Sequence, residues 1–282
     1  MPVLSHGAAQ LWAQQVGEGE DVLLIAGLAD EAAAWDAQVA ALSAHARVTT
    51  YDARGVGSSN TPPGPYRFGD LVADAVAVLD GLAIERAHVV ASSLGGAIAQ
   101  RLAIDHPRRV ASLVLSGTWA RPDRAFTALI ETWIRVAQLA AGPADLLAVV
   151  NRAAFGPGAW NDGRVDAWNT EAVAAFEADP QAWPLWREAF IATARALLEH
   201  RAGDAELAAI RVPVLLLVGE DDAVLPARYS QRLAVALPEA RVARVTGAGH
   251  QPFQEAPAEF NRLVESFLAS VAQQPVTGRV PA

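Results

Sequence analysis

The chain has 282 residues, 52% of them hydrophobic and 19% charged, with a formal net charge of −9 and no cysteine. Such a length and mix describe a globular chain with a sizeable core, not a disordered segment or a coiled coil. A net-negative surface without a Lys/Arg cluster excludes nucleic acid and anionic membrane as natural partners, and the lack of cysteine excludes disulfides and thiolate chemistry.

The opening "MPVLSHGAAQLW" lacks the basic and continuous apolar regions of a secretory signal, and no apolar run reaches the length of a membrane span. The expectation is a cytoplasmic protein without a membrane partner.

Apolar runs then alternate with helix-like segments. "DVLLIAG" (21–27), "RVTTYD" (47–52), "HVVAS" (88–92) and "VASLVLSG" (110–117) read as strands buried on both faces, separated by helices near Glu31–Ala44, Phe68–Leu82 and Leu94–Asp105. That β-α-β rhythm predicts a parallel sheet with helices on both faces. It breaks after Gly117, and residues 119–203 read as an Ala-rich helical insertion interrupted by "AGP", "FGPG" and "ADPQAWP". Strand patterns resume at "VPVLLLVGE" (212–220) and "ARVARVTG" (240–247), with helices near Pro226–Leu237 and Pro257–Val271. Residues 1–118 and 204–272 therefore form one α/β domain around the insertion, and residues 273–282 read as a flexible tail.

The segment "HVVASSLGGAIAQ" (88–100) places two serines where a strand hands over to a helix. A nucleophile on such a turn needs small residues two positions to either side. Ser93 has Ala91 and Gly95 there, whereas Ser92 has Val90 and Leu94, so only Ser93 fits. The competing reading is a serine that caps the helix. A serine nucleophile needs an imidazole to take its proton and a carboxylate to orient the imidazole. His250, in "VTGAGHQPF", follows a strand through a Gly-Ala-Gly loop; Asp221 and Asp222, in "VGEDDAVLP", follow the strand before it. All lie at strand carboxyl ends, where open parallel sheets bind ligands.

This order of serine, aspartate and histidine resembles the α/β-hydrolase superfamily, and the likeness spans nearly the whole chain. "YDARGVGSS" (51–59) is similar to its Gly-rich loop, "GEDDAVLP" to its acid turn and "GAGHQPFQEAPAEF" to its histidine loop. The resemblance implies a mostly parallel eight-stranded sheet with helices on both faces and a helical cap. It also implies a triad of Ser93, Asp222 and His250, with Asp222 as its acid, and no cofactor. Backbone amides of Leu94 and Leu28, the latter with Ala29 as alternative, are the expected oxyanion donors. Ala26 stands where many members carry histidine, and Ala91 where the elbow commonly has glycine.

Trp35, Ser92 and Trp119 are expected to line the substrate pocket. Asp52 and Arg54 are read as loop-holding rather than catalytic residues. The remaining histidines lack zinc spacing, and "GVG" (55–57) lacks a nucleotide fingerprint. The function expected is hydrolysis of an ester, lactone or related carbonyl bond in a small to medium apolar substrate. C–C or enamine hydrolysis on the same triad, or a non-catalytic binding module, are the alternatives. The sequence does not decide between monomer and homodimer.

Overall fold

The computed structural model describes residues 3–273. Its frame is one eight-stranded sheet: β1 (Val3–His6), β2 (Ala9–Val16), β3 (Glu20–Ile25), β4 (Ala46–Tyr51), β5 (Ala87–Ser92), β6 (Val110–Ser116), β7 (Val214–Gly219) and β8 (Ala240–Val245), in the order 1-2-4-3-5-6-7-8. β3 to β8 pair in parallel, while β1 and β2 form an antiparallel edge against β4. The edge hairpin is absent from the sequence reading. β1 is only four residues long, and β2 alternates Ala9, Leu11 and Ala13 with glutamines and a half-buried Trp12, a weak apolar signal.

The parallel strands are apolar throughout because both faces are covered. Leu23, Ile25, Val89, Ala91, Leu113 and Leu115 point to one face and join a core with α2 (Phe68–Gly81) and α3 (Leu94–Asp105). Val22, Leu24, Val90 and Val114 point to the other, against α1 (Asp36–Leu42) and α12 (Pro257–Ala272).

Between β6 and β7 lie α4 (Arg124–Leu139), α5 (Pro143–Ala154), α6 (Pro157–Asn161), α7 (Arg164–Ala178) and α8 (Ala182–Leu197), followed by α9 (Asp204–Ala208). Pro143 and Pro157 open their helices, where the missing N–H costs nothing. α4 buries Phe126, Ile130, Trp133, Ile134 and Ala137, an amphipathic stripe that joins the core under α3. Phe190, Ala194 and Leu197 of α8 enter the same core, so this part of the cap is continuous with the sheet domain. A smaller cluster of Ala154, Phe155, Ala159 and Val165 knits α5, α6 and α7. α10 (Arg228–Ala236) and α11 (Pro252–Glu255) complete the order. Among the described residues no helix is long and apolar enough to cross a membrane. The expected tail falls, from residue 274 onward, outside the described residues.

Candidate active site

β5 ends at Ser92 and α3 begins at Leu94, which leaves Ser93 alone on the turn with φ 52° and ψ −115°. A side-chain-bearing residue in that region stores roughly 1–3 kcal/mol of strain. Hydrogen bonds hold it there: Ser93 N–H donates to Ser116 O at 2.8 Å, and Thr118 Oγ1 donates to Ser93 O at 2.8 Å. Gly95 is required, since a Cβ there would run into the carbonyls of Ile25 and Ala26. A Cβ on Gly96 would stand 2.7 Å from Thr118 Cβ. Ala91 is fully buried in the core.

From the ends of β7 and β8, two loops converge on this turn. Ser93 Oγ lies 2.9 Å from His250 Nε2, and His250 Nδ1 lies 2.9 Å from Asp222 Oδ2. Because the carboxylate only accepts, Nδ1–H donates to Asp222, which leaves Nε2 as acceptor for the serine hydroxyl. Asp222 Oδ1 accepts the amides of Val224 at 2.9 Å and Leu225 at 2.7 Å, fixing the carboxylate. Asp221 points to solvent and uses its amide to bond Ala248 O at 2.9 Å. Gly117, at φ 49°, lets the three groups meet: a Cβ there would stand 3.0 Å from His250 Nδ1 and 3.2 Å from Asp222 Oδ2.

Burial by itself pushes the His250 imidazole down. The charge and hydrogen bond of Asp222, followed by the charges of Asp30 and Glu255, outweigh it and hold the group above its ordinary value. Neither neighbouring acid is part of the sequence-derived site. Glu255 accepts the amides of Gly156 at 2.8 Å, Gly249 at 2.9 Å and Gln251 at 3.2 Å, and so ties the histidine loop to the cap. His250 N–H itself donates to Ala154 O at 2.8 Å. The only sequence trace of Glu255 is its place five residues after His250. Asp30 stands two residues after Leu28, in the loop that follows β3.

The amides of Leu28 and Leu94 donate to no acceptor among the described residues. Ala29 takes φ 64°, which turns the β3 loop sharply. Gly27, Ala29, Leu94, Ile98, Tyr51 and Leu71 are among the residues that line a mostly apolar cavity. Its volume of about 20 Å³ holds about one water-sized group.

The three expected pocket residues, Trp35, Ser92 and Trp119, are all fully buried. Trp35 is fully enclosed on the α12 face of the sheet, stacked on Phe253 with ring centroids 4.1 Å apart. The short helical turn over Ala32–Trp35 carries its ring inward, away from the elbow. Trp119 packs on Phe126 and faces His200 in the other core. Ser92 is also sealed, because its place on β5 directs it into the interior opposite Ala91. Asp52, as expected, holds its loop by accepting the amides of Ala32 and Ser58, each at 2.8 Å. Arg54 pairs with Asp74 at 2.6 Å. Among the described residues no cluster of three or more acids and histidines is suited to a metal ion.

Residues 22–257 match the model of the alpha/beta hydrolase fold family. The chain belongs to that family. It is 33% identical, over 97% of its own length and all of the relative, to an Azorhizobium caulinodans protein named "Putative carbamate hydrolase RutD". The enol-lactonase from Burkholderia xenovorans LB400 is 26% identical, with a TM-score of 0.77 over 93% of this chain and 97% of that one. A thermophilic esterase from Thermogutta terrifontis shares the fold at 24% identity and a TM-score of 0.83, covering 95% and 97% of the two chains. By family this α/β hydrolase is a hydrolytic enzyme.

Proposed function

We propose that this α/β hydrolase cleaves an ester, lactone or related carbonyl bond through an acyl-enzyme on Ser93. The observation that carries the reading is the unbroken relay from Ser93 Oγ to His250 to Asp222, at 2.9 Å for each step. His250 Nε2 takes the hydroxyl proton as Ser93 Oγ bonds to the carbonyl carbon, while Asp222 holds the imidazolium in orientation. The free amides of Leu28 and Leu94 take the charge that develops on the carbonyl oxygen, worth roughly 10²–10³ in rate per donor. His250 then returns the proton to the leaving oxygen or nitrogen. Water, deprotonated by the same imidazole, attacks the acyl group and frees Ser93.

The name of the Azorhizobium relative adds a second reading, a carbamate, whose carbonyl is open to the same attack. A fluorophosphonate probe, followed by peptide mass analysis and a panel of short esters, lactones and carbamates, tests both. Labelling at Ser93 with turnover of at least one class is expected. Unlabelled, folded protein without turnover overturns the reading.

A further inference from the structure

Asp30 brings a carboxylate beside the nucleophile that the relay does not use. The position a Cβ on Gly27 would take is 2.8 Å from Asp30 Oδ2 and 3.4 Å from Ser93 Cβ, so the acid and the serine face the same point beside the Gly27 backbone. Burial pushes the Asp30 carboxyl up, while the hydrogen bond from Gln251 and the charge of His250 pull it back down.

The partners of this carboxylate are all donors. It accepts the Gly27 amide, and Gln251 Nε2 donates to it at 3.0 Å from Oδ2 and 3.3 Å from Oδ1. That contact fixes which way the Gln251 amide faces. Gln251 Oε1, in a residue only 8% exposed, is then left without a hydrogen-bond partner among the described residues. A carboxylate with lone pairs to spare and an orphaned amide oxygen thus stand together, two acceptors short of a donor. An uncompensated buried acceptor is costly, and an anion close to a developing oxyanion opposes the reaction. A substrate that brings its own N–H or positive charge corrects both.

We propose that Asp30, with Gln251, is a specificity-determining residue that selects carbonyl substrates bearing an ammonium or N–H group close to the scissile bond and turns away those bearing a carboxylate there. The inference rests on Ser93 acting as the acylated nucleophile. Asp30 takes one N–H of the incoming group and Gln251 Oε1 another. A short amino-acyl ester and a carbamate, whose nitrogen adjoins the carbonyl carbon, both meet this requirement.

Three p-nitrophenyl esters test it: butanoate and 3-aminopropanoate, isosteres with a neutral or a cationic end, and hydrogen succinate, which carries an anionic and bulkier end on the same two-carbon spacer. Wild-type kcat/KM is expected to favour the ammonium ester over the succinate ester by about tenfold or more, as a charge pair away from bulk water gives. Asp30→Asn and Asp30→Ser should each collapse that ratio. A wild-type preference for the succinate ester, or a ratio unmoved in both variants, overturns the assignment while Ser93 stands as nucleophile. Turnover of none of the three esters by wild type overturns the assignment, and overturns the nucleophile as well when the fluorophosphonate probe leaves Ser93 unlabelled.

Discussion

Gly249 and Gly156 meet backbone to backbone, one on the loop that carries His250 and the other in the cap between α5 and α6. A Cβ on Gly156 would stand 2.8 Å from Gly249 N, and one on Gly249 would strike the Gly156 amide and come within 2.8 Å of the Phe155 carbonyl carbon. Main-chain atoms cannot swing aside as side-chain tips can. Gly249→Ala should therefore cost about 1–3 kcal/mol in a denaturant titration, the usual range for overpacking. It should also lower kcat, because His250 is the next residue. Unchanged stability and turnover would show that the two loops separate freely.

Ser93 is held at φ 52°, a conformation that glycine adopts without strain. Ser93→Gly is expected to abolish acyl-enzyme formation while raising unfolding stability by up to about 1–3 kcal/mol, the strain such a residue stores. Ser93→Ala, which keeps the Cβ, should lose turnover without the gain. Chemical denaturation of the three proteins side by side separates geometry from chemistry.

The pH profile should carry the mark of the acids around His250. Catalysis needs its neutral form, so the acid limb of kcat/KM is expected above the roughly 6.5 of an ordinary histidine. Asp222→Asn removes the first upward cause, and the limb should move down as kcat falls by about 10⁴-fold. The sign for folding follows from the same raised value. His250 contributes stability fully below the unfolded-state pKa, and that contribution fades as pH rises through the folded one. An unmoved limb in Asp222→Asn would mean that another group governs it.

Glu255 takes three amide hydrogens from two parts of the chain. Glu255→Ala strands all three donors inside the protein, and a loss of roughly 1–3 kcal/mol or more is expected, the cost of unsatisfied buried groups. Burial pushes this carboxyl above its ordinary value, against the pull of those three bonds and of the Arg164 charge. Hydrogen exchange at Gly156 and Gly249 should accelerate in the variant; protection equal to wild type would contradict the latch.

Much of this was legible in the chain because the parallel strands are buried on both faces and so read as continuous apolar runs. The elbow was legible because crowding against the Ile25 carbonyl admits only a small residue at Gly95. Choosing between Asp221 and Asp222 needed the family resemblance, since both are acids on one turn; in the fold, the amides of Val224 and Leu225 capture the second. An aromatic ring in sequence carries no sign of which face of the sheet receives it. Trp35 and Trp119 went to opposite cores. Asp30 and Gln251 are 221 positions apart, and neither residue announces the other until the β3 loop and the histidine loop are folded together.

The hydrogen bond from His250 N–H to Ala154 O has a practical corollary for anyone recombining parts of this enzyme. The insertion between β6 and β7 looks like an interchangeable module, yet residues 154–156 are bonded to the loop that carries His250 and to Glu255. A chimera that replaces the whole insertion would lose a carbonyl that steadies the histidine and an amide that anchors Glu255. The transplantable unit excludes that short stretch, which travels with the histidine loop to which it is bonded.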